Sequence, residues 1–135
     1  MGNIIVSETL KSHFLRLYQI ALSDNEFSTL EMKMLYDFAL ERGISEKYLD
    51  EILLSSSNVQ DYFPETLDEK IEFIYDLTQM IWADGKVDKN ERSALEKYIQ
   101  LFGFLDENIS PLADFFLDAV QDGITKTEIL QKLNT

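Results

Sequence analysis

One segment of this chain occurs twice, sixty positions apart, and that duplication constrains the fold more than any other feature. Residues 14–44 read FLRLYQIALSDNEFSTLEMKMLYDFALERGI, and residues 74–104 read IYDLTQMIWADGKVDKNERSALEKYIQLFGF. Leu17/Leu77, Gln19/Gln79, Asp24/Asp84, Glu31/Glu91, Leu35/Leu95 and Gly43/Gly103 are identical. Phe14/Ile74, Ala21/Ile81, Phe27/Val87, Phe38/Tyr98 and Ile44/Phe104 stay apolar. Chance would give about two identities over such a length, so the two segments read as diverged copies of one structural unit. What the copies share is an apolar packing frame and a set of carboxylates.

The apolar frame has a helical period. Phe14, Leu17, Tyr18 and Ala21 follow a 3–4 spacing, as do Ile71, Ile74, Tyr75 and the stretch from Thr78 to Ile81. Leu35, Phe38 and Ala39, then Leu95, Tyr98, Ile99 and Phe102, mark the next helix of each copy. No useful length alternates apolar and polar residues as a half-buried strand does. Start signals agree with the period: Ser28-x-x-Glu31, Thr66-x-x-Glu69, Asp88-x-x-Glu91 and Thr125-x-x-Glu128 each fit a capping box. Gly43 and Gly103 stand where a helix ends in a left-handed residue, each followed by an apolar one.

The expectation is an all-α bundle of seven helices, near 7–22, 29–42, 46–55, 67–83, 89–102, 111–121 and 126–133. Pro111 suits a first turn capped by Ser110, with a start near Asp106 as the alternative. At 135 residues the chain is expected to form one domain, 1–135, with two helical hairpins facing each other about a pseudo-twofold axis. The joining stretch 55–65 carries Tyr62, Phe63 and Pro64, which would pin it to the body.

Composition narrows the function classes. Twenty-five acidic against 12 basic residues leave a net charge of -13, which repels phosphate backbones and anionic lipid. Nucleic acid and membrane are therefore poor partners, and cations or basic protein faces better ones. With no cysteine, thiol catalysis, thiolate metal sites and disulfides are excluded. No stretch approaches the ~20 apolar residues that cross a bilayer, and the N-terminus lacks the pattern of a signal peptide. The plain expectation is a cytoplasmic protein.

The acidic turns between the paired helices are the candidates for chemistry. The second, Ala83-Asp84-Gly85-Lys86-Val87-Asp88-Lys89-Asn90-Glu91, matches the latter half of an EF-hand loop, with Asp84, Gly85, Val87 and Glu91 in the expected order. The earlier ligand positions would fall on Met80 and Trp82, or on Ile20 and Leu22 in the first copy, and none carries a side-chain oxygen. A normal EF-hand is excluded.

Four carboxylates could still converge if the two turns meet: Asp24, Glu31, Asp84 and Glu91, with Glu26 and Asp88 at the rim. An all-oxygen set suits a hard divalent cation, Ca²⁺, Mg²⁺ or Mn²⁺. The competing explanation is structural, with Glu31 and Glu91 in capping boxes and Asp24 and Asp84 as turn formers ahead of a positive helix N-terminus.

Elsewhere the signals are plainer. His13, the one histidine, reads as an exposed helix residue. Trp82 reads as core, with a ligand surface as the alternative, and Phe115 and Phe116 read as core. Asp106, Glu107, Asp114, Asp118 and Asp122 read as a solvated face, with a basic partner as the alternative. No phosphate-binding loop, dinucleotide fingerprint, Ser-His-Asp set or Glu-x-x-His pair is present.

The run Trp82-Ala83-Asp84-Gly85-Lys86-Val87-Asp88-x-x-Glu91, the following Leu95 and Gly103-Phe104, and the weaker copy from Ala21 to Ile44 resemble the TerB-like family associated with bacterial tellurite resistance. The resemblance spans roughly residues 10–133. It implies a duplicated all-helical bundle and an acidic metal-binding cluster, carried here by Asp24, Glu31, Asp84, Asp88 and Glu91. It also implies a role in stress response through assemblies with other proteins rather than through catalysis. The first copy departs from the pattern, with Ser23-Asp24-Asn25-Glu26 in place of Ala-Asp-Gly-Lys. Asn tolerates the left-handed turn that Gly supplies.

The expectation is thus a non-enzymatic module that binds another protein, its acidic turns open to a cation. A metal-dependent hydrolase built on Asp84 and Glu91 is the rival, but no His, Lys or Arg is placed by motif to move protons. A purely structural helical adaptor with no ion is the third reading.

Overall fold

The computed structural model of the chain describes residues 7–23, 29–54, 62–85 and 87–133, without the side chains at 22, 23, 29, 30, 84 and 133. Among the described residues the fold is all-α, with seven α-helices and no strand. They are α1 Glu8–Ser23, α2 Thr29–Glu41, α3 Glu46–Leu54, α4 Leu67–Ile81, α5 Lys89–Leu101, α6 Asp106–Gln121 and α7 Lys126–Leu133, with one 3-10 turn at Trp82–Asp84. No described helix is long and apolar enough to cross a membrane. The chain divides into two compact units, Met1–Phe63 and Pro64–Thr135.

In the first unit α1, α2 and α3 pack on one another in all three pairings. Phe14, Leu17 and Ala21 on α1, Leu35, Phe38 and Ala39 on α2, and Leu49 and Ile52 on α3 are buried, as the helical spacing of the sequence requires. Helix α2 ends in a Schellman motif. Gly43 adopts φ 79°, its N–H bonds to the Leu40 carbonyl at 3.0 Å, and the Ile44 N–H reaches the Ala39 carbonyl at 2.9 Å. Ile44 is buried behind that turn.

The end of the joining stretch is held as expected, with Pro64 buried and α1 engaged by the Tyr62 backbone and the Phe63 ring. Tyr62 N–H donates to Ser12 Oγ at 3.0 Å, and the Arg16 guanidinium donates to the Tyr62 carbonyl and lies 4.6 Å from the Phe63 ring centre. The Tyr62 and Phe63 rings themselves remain exposed. Residues 55–61 lie outside the described residues.

In the second unit α4 is the hub, packed by α5, α6 and α7. Thr66 caps it by accepting the Glu69 N–H at 3.2 Å. The duplication extends past the matched sequence: α3 and α6 begin at Glu46 and Asp106, again sixty apart, where the residues no longer match. Burial follows the same register, since residues 31–40 and 91–100 alternate between buried, half-buried and exposed in identical order.

Helix α6 starts at Asp106, the alternative start, and not at Pro111 with Ser110 as cap. Asp106 and Glu107 give its first turn the negative charge that a helix N-terminus favours. Pro111 therefore stands inside the helix and is exposed, at the cost of one backbone bond near its beginning. Helix α7 is closed onto α4. The Thr125–Glu128 capping box forms, Tyr75 Oη donates to the Ile124 carbonyl at 2.7 Å, and Lys126 Nζ lies 2.8 Å from Asp76 Oδ1. Burial, with Asp76 and Glu128 close by, pushes the Tyr75 phenol above its ordinary pKa.

Candidate functional site

The second acidic turn is built by local backbone chemistry. Helix α4 ends at Ile81 and the chain tightens into the 3-10 turn Trp82–Asp84. Gly85 then reverses it at φ 81°, its N–H bonded to the Trp82 carbonyl at 2.9 Å. An L side chain at that φ would be strained, which is why the Asp-Gly pair stands there. Asp88 then caps α5. Its Oδ1 accepts the Glu91 N–H at 2.7 Å, and Glu91 Oε1 accepts the Asp88 N–H at 3.1 Å, a complete capping box.

Of the carboxylates singled out from sequence, Asp88 and Glu91 are thus brought together, each with an oxygen committed to the backbone. Glu31 lies half-buried in the first turn of α2. Asp24 and Glu26 lie outside the described residues, as does the Asp84 side chain. Among the described residues no three His, Cys, Asp or Glu side chains form a group that could hold a metal ion. The donor set described at this turn is that of a helix cap, which uses carboxylate oxygens to satisfy N–H groups.

Beside this turn the second unit opens a cleft of about 430 Å³ between the start of α5 and the second half of α6. Trp82, Val87 and Leu117 supply its apolar surface, Asp88, Asp114 and Asp118 its acidic groups, and Lys89 and Arg92 on α5 its basic ones. Trp82 is half-buried, and its indole Nε1 donates to the Leu117 carbonyl at 3.0 Å, which fixes the ring at the cleft. The ring therefore does more than fill the core. Arg92 ties α5 to α6: Nη1 lies 2.8 Å from Asp114 Oδ1, Nε 3.5 Å from Glu96 Oε2, and Nη2 donates to Ser110 Oγ at 3.2 Å. The open lining mixes apolar with acidic and basic groups, which suits a docked side chain better than an enclosed small molecule. Asp106, Glu107, Asp114, Asp118 and Asp122 are all exposed, as the solvated face required.

His13 is a correction. It is fully buried, with its ring centre 5.6 Å from that of Phe14, because α1 is buried at every position from Ser12 to Leu17 and leaves no solvent face there. Two further buried charges were missed. Asp76 is fully buried on α4 against Lys126, and Arg16, its counterpart sixty residues earlier, is buried on α1. Their signal was available: each is embedded in a run whose neighbours on both sides carry the apolar period.

No protein-family model, curated protein or solved structure matches this chain.

Proposed function

We propose that this chain is a non-enzymatic, TerB-like protein-interaction module of a cytoplasmic stress response, and that it engages its partner at the acidic-edged cleft of the second unit. The observation that carries the reading is the cleft itself, where Trp82, Val87 and Leu117 lie beside Asp88, Asp114 and Asp118. An open apolar surface edged by charge is what an interaction site offers. Trp82, Val87, Asp88 and Lys89, from the run that resembles the TerB-like family, line that cleft. In this reading Asp88 and Glu91 organise the turn by capping rather than by doing chemistry.

Affinity capture of the tagged full chain tests the proposal. At about 0.15 M salt one protein is expected to co-elute near stoichiometry and to be released as salt rises, because the net charge of -13 steers the encounter. Capture of nothing above background at either salt would contradict it.

A further inference from the structure

Resting on the interaction reading, the geometry points to the kind of partner: we propose that the cleft of the second unit takes a basic amphipathic helix of another protein. Its apolar side lies on Trp82, Val87 and Leu117, and its lysines or arginines run along Asp114, Asp118 and Asp122.

Charge complementarity carries the argument. Helix α6 contains no Lys or Arg, and Asp106, Ser110, Asp114, Asp118 and Asp122 follow one another every four residues, all exposed. Each step is about 6 Å along the axis and about 40° round it, so Asp114, Asp118 and Asp122 share one side of the helix. A helix with basic residues at the same interval presents charges in matching register, and helix-in-groove recognition uses that i, i+4 pattern. The cleft's two cations, Lys89 and Arg92, both stand on α5, and Arg92 is shared between Asp114 and Glu96, so Asp118 and Asp122 carry the charge offered to a partner.

The apolar surface gives these charges a use beyond solubility. Methylene stems of lysine or arginine lie well against an aromatic face, and Trp82 is held in place by its bond to Leu117. The same charges disfavour other occupants. A second copy of the chain brings another net charge of -13, and a nucleic acid brings phosphates.

Trp82 is the only tryptophan, so its emission reports on this cleft alone. The probe is a fluorescently labelled synthetic helix with lysines on one side and leucines on the other. Added to the full chain, it should shift the Trp82 emission saturably in step with its own anisotropy. Asp118→Lys/Asp122→Lys should weaken binding about tenfold, while Glu41→Lys/Glu51→Lys, the same charge change on exposed positions of the first unit, should leave it within about twofold. Circular dichroism of both variants should match the parent.

Equal losses in the two variants, or equal binding of a peptide with the same residues shuffled out of helical register, would overturn the proposal. Anisotropy that rises with unchanged Trp82 emission would also overturn the cleft, yet leave the interaction reading in place. No peptide binding overturns the cleft as well, and affinity capture then decides the interaction reading separately.

Discussion

At the scale of single residues, the buried charges were the least legible part of this sequence. Helical periodicity counts apolar residues and assigns the positions between them to solvent. That logic fails where a helix is covered on several sides, as α4 is by α5, α6 and α7. Asp76 is buried there with Lys126 Nζ at 2.8 Å, and His13 is buried on α1 for the same kind of reason. Removing one partner of a buried ion pair costs far more than removing both, since the survivor stays desolvated. Lys126→Met is therefore expected to lower unfolding free energy by roughly 3 kcal/mol, and Asp76→Leu/Lys126→Met by less than that single change. Urea denaturation of the parent, Lys126→Met, Asp76→Leu and the double variant checks this. Losses that simply add would place the interaction elsewhere.

At the scale of elements, the sequence was most legible where local chemistry decides. The capping signatures at Thr66, Asp88 and Thr125 form as written, and the left-handed residues at Gly43 and Gly103 end α2 and α5. The Ser28–Glu31 signature cannot be compared, because Ser28 lies outside the described residues. Helix α6 was misplaced by Pro111, whose preference for a first turn was outweighed by the acidic first turn five residues earlier.

The capping geometry at the second turn carries its own prediction. Asp88→Ala should cost about 1 kcal/mol, the usual loss for an N-cap side chain, and thermal unfolding measures it. With Asp88 and Glu91 committed to caps, Ca²⁺, Mg²⁺ or Mn²⁺ titrated into metal-stripped protein should leave the melting temperature flat. A saturating rise that is lost in Asp84→Asn/Glu91→Gln would instead make these carboxylates cation ligands, since a ligand of the native state stabilises it by mass action.

At the scale of the whole molecule, the duplication was visible from the start and the cleft was not. A repeat needs only positional identity, and the helices continue it to α3 and α6 after identity has faded. The cleft joins Trp82 to Leu117 across 35 positions, a separation that no motif records. It exists because α4, α5 and α6 pack as they do, with Arg92 bridging to Asp114. The acidic residues of α6 were legible as a solvated face, but their role beside an apolar surface was not.

The most direct test of the central claim, that partner binding belongs to the acidic-edged cleft of the second unit, is site-directed photo-crosslinking of the full chain in cells that express it natively. A photo-reactive residue replaces either Gln121, which is exposed and lines the cleft, or Glu51, which is exposed on α3 of the first unit. The account expects a discrete protein adduct from position 121 and none from position 51. Adducts from position 51 alone, or equal adducts from both, would contradict it.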